Sequence, residues 1–366
     1  MSVAAVPPDF AVVAAAFPLA GPIVSAAPYG NGHINETYIA IVAAPGGERR
    51  YVFQKINHRI FKNVPALMEN IARVTAHVRA KQPRALALVT TRAGEIVHRS
   101  AAGDWWRLYD FIEGAHTVER VTTEAQAREA ARAFGEYQAL LVDLPGGRLH
   151  DTIPNFHHTR SRFETLRRAV AEDIAGRAAM VRDEIGFAMA RAADTDVLLD
   201  LLARGELTER VTHNDTKINN VMLDDATGRC AAVIDLDTVM PGLSLYDFGD
   251  MVRTAASSTA EDNPDATQMH VVLPYFRALV EGYLESAGGV LNAVERAHLG
   301  FAGKLLAFET GIRFLTDHLQ GDVYFRIKRP GHNLDRARTQ FALVKSIEDN
   351  SEAMRDIVAA AERVSG

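Results

Sequence analysis

Cysteine is almost missing from this chain: Cys230 is the only one among 366 residues. An internal disulfide and a multi-thiolate zinc site are both excluded, and nothing calls for an oxidising compartment. Positive charge is also short. Forty Lys plus Arg stand against forty-six Asp plus Glu, a formal charge of -6, which repels a polyphosphate duplex and argues against nucleic acid as a partner. No Lys or Arg occurs before Arg49. The uncharged stretch Phe10 to Ala27 therefore has no basic leader, and Pro18, Gly21 and Pro22 interrupt it where a spanning helix would continue. A short packed helix from Asp9 to Phe17, a cytoplasmic location and no membrane partner are the expectation. Repeats of 20–50 residues and low-complexity linkers are absent too, which removes solenoids. What remains is 48% apolar and 23% charged, an ordinary globular mixture long enough for two lobes.

The first third reads as strands around one helix. Glu36 to Val42 and Arg50 to Ile56 are β-branched and aromatic runs joined by Pro45-Gly46-Gly47, a hairpin by turn chemistry. Asn63 then caps a helix in which Leu67, Met68, Ile71, Val74 and Val78 recur at helical spacing. Val89, Ile96-Val97 and Trp105 to Ile112 continue an antiparallel sheet that ends at Glu113-Gly114. From Thr123 the period changes to 3.6, with Ala-, Leu- and Arg-rich helical stretches at 123–143, 159–204, 270–286, 291–319 and 334–364. The exception is 211–237, where Val211, Val221-Met222-Leu223 and Ala231 to Ile234 are short apolar runs around a turn at Asp224 to Gly228.

The most informative segment is His213-Asn214-Asp215-Thr216-Lys217-Ile218-Asn219-Asn220, a polar loop that offers a carboxylate, an ammonium two residues on and an amide five residues on. That set suits phosphoryl transfer: Asp215 can accept a hydroxyl proton, Lys217 can sit against a γ-phosphate, and the Asn220 amide oxygen is a hard ligand for Mg²⁺. The apolar run Ala231 to Ile234 delivers a second carboxylate, Asp235, at a strand end. For any one of these residues a turn or cap explains the residue equally well; the combination is what carries information.

His-x-Asp-x-x-x-x-Asn followed by a short hairpin and Ile-Asp resembles the protein-kinase-like fold of aminoglycoside phosphotransferases and choline kinases. The strings Thr212 to Met222, Val233 to Asp250, Tyr29 to Tyr38 and Gln54-Lys55-Ile56-Asn57 are similar to N-acetylhexosamine 1-kinases within that superfamily. The resemblance implies an α+β, protein-kinase-like bilobal fold, with a β-rich nucleotide-binding lobe over 1–113 and a mainly α-helical catalytic and acceptor-binding lobe over 114–366. It implies Asp215 as catalytic base with Lys217 beside it, Asn220 and Asp235 as metal ligands, and ATP and Mg²⁺ as cofactors. Asp247-Phe248-Gly249 spells the metal-binding tripeptide of protein kinases, but no apolar strand precedes it. Asp247 and Asp250 are instead expected to cap a helix and tie down the catalytic loop.

In the small lobe, Gly30-Asn31-Gly32-His33-Ile34-Asn35 has the first two glycines of a phosphate-covering Gly-x-Gly-x-x-Gly turn, with Asn35 in place of the third. Alternation puts Tyr51, Phe53 and Lys55 on one strand face, where a lysine wants a charged partner or a phosphate. Glu69 on the next helix is its expected ion-pair partner, after the lysine–glutamate clamp of kinases. Asp110 to Gly114, with Phe111 and Ile112 at its centre, is the expected hinge whose backbone reads adenine.

Glu309, Arg313 and Asp317 lie four apart on one helix face, and Tyr324 follows shortly after. They form either a sugar-binding set or an exposed salt-bridge ladder. The hexosamine-kinase resemblance favours Arg313 and Tyr324 as acceptor contacts, with Asp237 as a further candidate if the strand through Asp235 continues. The leading expectation is an ATP-dependent kinase acting on the anomeric hydroxyl of an N-acetylhexosamine. The alternative is an aminoglycoside- or choline-type phosphotransferase acting on another alcohol; a catalytically silent nucleotide-binding protein is disfavoured by Lys55, Asp215, Asn220 and Asp235 together.

Overall fold

The structure is a computed structural model that describes residues 6–30 and 34–365. Its first part is a six-stranded antiparallel sheet built from β1 (Ile23–Pro28), β2 (Glu36–Ala44), β3 (Gly47–Ile56), β4 (Leu88–Val89), β5 (His98–Arg99) and β6 (Trp105–Asp110). The order is β1-β2-β3-β6-β4, with β5 beside β6. Period-2 alternation divides the side chains between two faces. Tyr38, Ala40, Tyr51, Phe53, Trp106 and Leu108 form the outer face, sealed by Phe10, Val13 and Phe17 in and just after α1 (Phe10–Ala15). Burying each such aromatic ring contributes about 1.5–3 kcal/mol, which is why the N-terminal segment folds back as a short helix.

The inner face, including Val52, Ile56 and Tyr109, joins the main core through Leu67, Met68 and Ile71 of α2 (Val64–Lys81). The expected Asn63 cap is present, its Oδ1 accepting the Ala66 N–H at 3.2 Å, a device that contributes about 1 kcal/mol.

Beyond the sheet, β7 (Ala115–His116) pairs with β9 (Val221–Asp224), so the chain joins the second half immediately after Gly114. Helices dominate there: α3 (Glu124–Leu141), α4 (Thr159–Glu172), α5 (Arg182–Met189), α6 (Val197–Ala203), α7 (Ser244–Ala255), α8 (Leu273–Ala287), α9 (Ala293–Ala297), α10 (Leu299–Leu319), α11 (His332–Asp349) and α12 (Ser351–Ser365). The long stretches read from periodicity are subdivided. The 159–204 stretch breaks first at Asp173, which adopts φ 39°, and 291–319 and 334–364 break at His298 and Asn350. α10 is buried nearly all round and is the axis of this half. α7 lies so close to it that a Cβ on Gly249 would run into the Ala302 carbonyl.

Between α6 and α7 the chain forms β8 (Arg210–Thr212), β9, β10 (Cys230–Val233) and β11 (Met240–Gly242). β9 and β10 make the expected hairpin, while β8 pairs with β11. These two short ladders hold the polar loop 213–220 between them. Among the described residues no helix is long and apolar enough to cross a membrane.

Candidate active site

The loop after β8 is held by a buried carboxylate from another element. Asp247, in the first turn of α7, accepts the backbone N–H of Asn214 at 2.7 Å, that of His213 at 3.0 Å, and the Gln138 amide at 2.7 Å. This is the tie expected of Asp247, although neither it nor Asp250 caps the helix, and it leaves the carboxylate 1% exposed. Burial pushes its pKa up, against the pull of these donors. Asp250 has a different partner, and its Oδ1 pairs with Arg253 at 2.7 Å, one turn along α7. Asn214 adopts φ 64°, a left-handed conformation that Asn tolerates better than most residues. His213 locks the turn, its Nε2 donating to the Ile234 carbonyl at 2.9 Å and its Nδ1 accepting the Asp215 N–H at 3.3 Å.

Asp215 projects from this frame into the cleft. Burial would raise its pKa, but Lys217 Nζ at 2.7 Å from Oδ1 brings it below the ordinary carboxylate value. The Asn220 amide nitrogen donates to the Asp215 carbonyl at 2.8 Å and to Oδ2 at 3.2 Å, and its Oδ1 has no hydrogen-bond partner among the described residues. Asp235 stands at φ 60°, ψ 60° just past β10, exposed toward the cleft. Its pKa is raised to about 6 by desolvation and by the neighbouring Asp237 and Asp215 carboxylates. No group of three or more His, Cys, Asp or Glu among the described residues could hold a metal by itself. One carboxylate plus one amide oxygen suits Mg²⁺, which takes one or two protein carboxylates and completes its shell with phosphates and water.

The small-lobe face differs from expectation. Lys55 pairs across the sheet with Glu36 and Trp106, which puts it on the outer, α1-covered face. Its Nζ lies 2.9 Å from Asp104 and 3.8 Å from Glu36. The Lys55–Glu69 clamp is not formed: Glu69 instead meets His150 Nε2 at 3.0 Å. Alternation was right about which residues share a face with Lys55 and silent about which face is inward.

The cation on the inner face is Arg107 of β6, 1% exposed, which pairs with Asp237 and donates to Gln54 Oε1 at 2.9 Å. Burial works against its charge, and Asp237 upholds it, raising the pKa. Asp237 is therefore not an acceptor contact. β10 ends at Val233, and a single 3-10 turn carries the Asp237 carboxylate to Arg107 and to the Asn35 amide. Asn35 thus ties the sheet to the hairpin, its Oδ1 also accepting the Asn57 N–H at 2.9 Å. Gly30 adopts φ 77° at the end of β1, whereas Gly32 lies outside the described residues. At the expected hinge, Arg50 stacks 3.9 Å from the Phe111 ring centroid and pairs with Glu113. The backbone N–H of Ile112 has no partner among the described residues.

Glu309, Arg313 and Asp317 form no exposed ladder. Glu309 is fully buried, taking His157 Nδ1 at 2.8 Å and the Thr159 hydroxyl at 2.6 Å. His157 Nε2 reaches the Asn214 carbonyl at 3.1 Å, so this histidine, unnoticed in the sequence, touches the residue before Asp215. Asp317 accepts the backbone N–H groups of Val323, Tyr324 and Phe325 at 2.7–2.9 Å. It thereby pins the segment carrying the exposed Tyr324. Arg313 lies over the rings of Phe156 and Phe325, at 5.7 and 5.5 Å.

Solved structures share the fold of this chain at low identity. A microcompartment-associated aminopropanol kinase matches at 16% identity and TM-score 0.57, over 94% of this chain and 97% of its own. An aminoglycoside phosphotransferase from Alicyclobacillus acidocaldarius matches at 14% and 0.58, over 100% and 98%. An amicoumacin kinase in complex with AMP-PNP and Ca²⁺ matches at 13% and 0.58, over 94% of both chains. The protein-kinase-like bilobal α+β fold is the one these proteins share. The profile of the phosphotransferase enzyme family spans residues 25–286, reaching from β1 through the Asp215 loop and Asp235 to the end of α8, and the chain belongs to that family.

Proposed function

We propose that this enzyme transfers the γ-phosphoryl group of ATP to a hydroxyl of a small sugar acceptor, with the anomeric hydroxyl of an N-acetylhexosamine as the specific reading. The single observation that supports it best is the Asp215–Lys217–Asn220 constellation beside Asp235. A carboxylate kept ionised by an ammonium at 2.7 Å is ready to take a hydroxyl proton, and an anomeric hydroxyl is more acidic than an ordinary alcohol, so a positioned carboxylate suffices. Asn220 and Asp235 are the groups that would hold Mg²⁺, which when bound neutralises charge on the β,γ-phosphates. Residues 1–113 form the nucleotide lobe in this reading and 114–366 the catalytic and acceptor lobe, with Gly30, Phe111 and Ile112 toward the nucleotide. Arg313 and Tyr324 are the acceptor contacts, a neutral-to-cationic lining that opposes the choline- or aminoglycoside-type alternative. The nearly cysteine-free composition suits a cytoplasmic setting.

The test is to incubate the protein with Mg-ATP and a panel of free sugars, methyl glycosides and amino alcohols, and to locate the phosphorylated carbon by phosphorus NMR. Free N-acetylhexosamines should yield the 1-phosphate, and methyl glycosides should be inert. Asp215→Asn should retain ATP binding and lose about 10²- to 10⁴-fold in turnover. A phosphorylated glycoside, or turnover of amino alcohols alone, would remove the anomeric-kinase reading.

A further inference from the structure

Arg162, near the start of α4, donates Nη2 to the Phe156 carbonyl at 3.1 Å. Arg313 of α10 lies over the ring of the same Phe156. Two guanidinium groups from different helices thus converge on one residue, and the next residue, His157, contacts the carbonyl of Asn214 beside the base. Neither arginine has a carboxylate at ion-pair distance among the described residues. Guanidiniums that are well buried do: Arg107 holds Asp237, Arg132 holds Glu129 and Glu136, and Arg253 holds Asp250 and Glu261.

The local charge balance is lopsided. Both ring nitrogens of His157 face acceptors, Glu309 and the Asn214 carbonyl, an arrangement that only the doubly protonated imidazolium satisfies. Three cations, His157, Arg162 and Arg313, therefore share Glu309. The nearby carboxylates are committed elsewhere, Asp317 to backbone N–H groups, Asp322 to Arg177, and Asp250, whose charge also reaches His157, to Arg253. Arg162 carries the strain: desolvation and the neighbouring Arg313 lower its pKa. Its Nε is buried with no acceptor among the described residues. A buried donor without a partner is costly, and the natural complement of two adjacent guanidiniums is an anion that both can grip.

We infer that Arg162 and Arg313 form an anion subsite for the acceptor, so that the preferred substrate is a sugar bearing a carboxylate or phosphate group in addition to its reactive hydroxyl. The inference rests on the reading of this cleft as the acceptor site. Phe156 and Phe325 wall the subsite and lower its dielectric, which strengthens a charged contact relative to water.

Calorimetric binding, which needs no turnover, tests it with N-acetylglucosamine, its 6-carboxylate and its 6-phosphate as probes. At least one acidic sugar should bind about tenfold or more tightly than the neutral one, with the preference shrinking as salt is raised. The carboxylate and phosphate arms separate the two anion chemistries. Arg162→Gln and Arg313→Gln should each collapse the preference toward unity. Arg162→Lys, which keeps the charge but loses the fork, should retain part of it and guards against misfolding of the neutral variant. Equal binding of neutral and acidic sugars, or a preference that survives both glutamine variants, overturns the subsite. Phosphorus NMR of the same mixtures reports separately on phosphoryl transfer, so that reading can stand or fall independently.

Discussion

The proposed reading gives the metal-ligand role to Asp235 and a structural one to Asp247, and the two differ in what each does for stability. In Asp247→Ala, three buried donors lose their acceptor: the Asn214 and His213 N–H groups and the Gln138 amide. An orphaned buried donor costs roughly 1–3 kcal/mol. Relief from burying a charge offsets part of the sum, so a net loss of about 2–5 kcal/mol is expected, a large fraction of the ~5–15 kcal/mol that holds a typical domain together. Asp235 is the opposite case. No hydrogen bond to its carboxylate is formed among the described residues, and desolvation, Asp237 and Asp215 all disfavour its charge. Asn is also at ease at φ 60°. Asp235→Asn should therefore leave the urea midpoint unchanged or raise it, while Mg²⁺-dependent turnover collapses. The assay pairs urea denaturation with an Mg²⁺ titration of activity for both variants. If Asp247→Ala instead folds like the parent and only raises the Mg²⁺ requirement, while Asp235→Asn lowers stability, the assignment of the two residues is backwards.

Three further outcomes are expected. Asp237→Ala strands the buried Arg107 charge and should cost about 3–5 kcal/mol in chemical denaturation; a loss under about 1 kcal/mol would mean the pair is hydrated in solution. Lys55→Met removes an amine that faces Asp104 rather than the cleft, so the KM for ATP should stay within about twofold, with at most ~1 kcal/mol lost from the surface ion pair. A tenfold rise in that KM would return Lys55 to the phosphates. The His157 pKa is raised: burial lowers it, but Glu309 more than compensates. Glu309 in turn is depressed, with burial opposing and His157 prevailing. Sign follows from both: the histidine contribution is complete below its ordinary 6.5 and fades as pH climbs through the folded-state value. The glutamate contribution is present above its ordinary 4.5 and fades as pH falls through its own. Parent protein should hence lose more melting temperature than His157→Gln as pH rises above 6.5; parallel curves would show that the pair is not linked to folding.

Legibility in the sequence tracked how local the determining interaction is. The Asp215 loop, the turn at Asp224 to Gly228 and the Asn63 cap are written in contiguous residues, and each is found in place. Asp247 was separable from Asp235 because only the latter follows an apolar strand. The Lys55–Glu69 pairing does not form for a physical reason: a period of two assigns partners to a face, but both faces of this sheet are apolar, and α1 covers the one that Lys55 shares. The missed signal was Arg107, a charge enclosed in Trp105-Trp106-Arg107-Leu108-Tyr109. His157 and Arg162 lie in and just after an irregular connection between α3 and α4 whose role depends on α10, far along the chain, and no local pattern reports that. The β8–β11 ladder was equally hidden, since three-residue strands carry no periodicity.

Arg107 and Asp237 also bear on how the cleft can breathe. They join the six-stranded sheet to the turn just past Asp235, and both are almost wholly removed from water. Pulling them apart by an ångström or two would leave each charge neither paired nor hydrated, the worst arrangement for an ion in a low-dielectric surround. Such a joint behaves as a latch rather than a spring. The six-stranded sheet is thereby fixed to the segment two residues past Asp235, and any displacement of one against the other meets the cost of separating the pair.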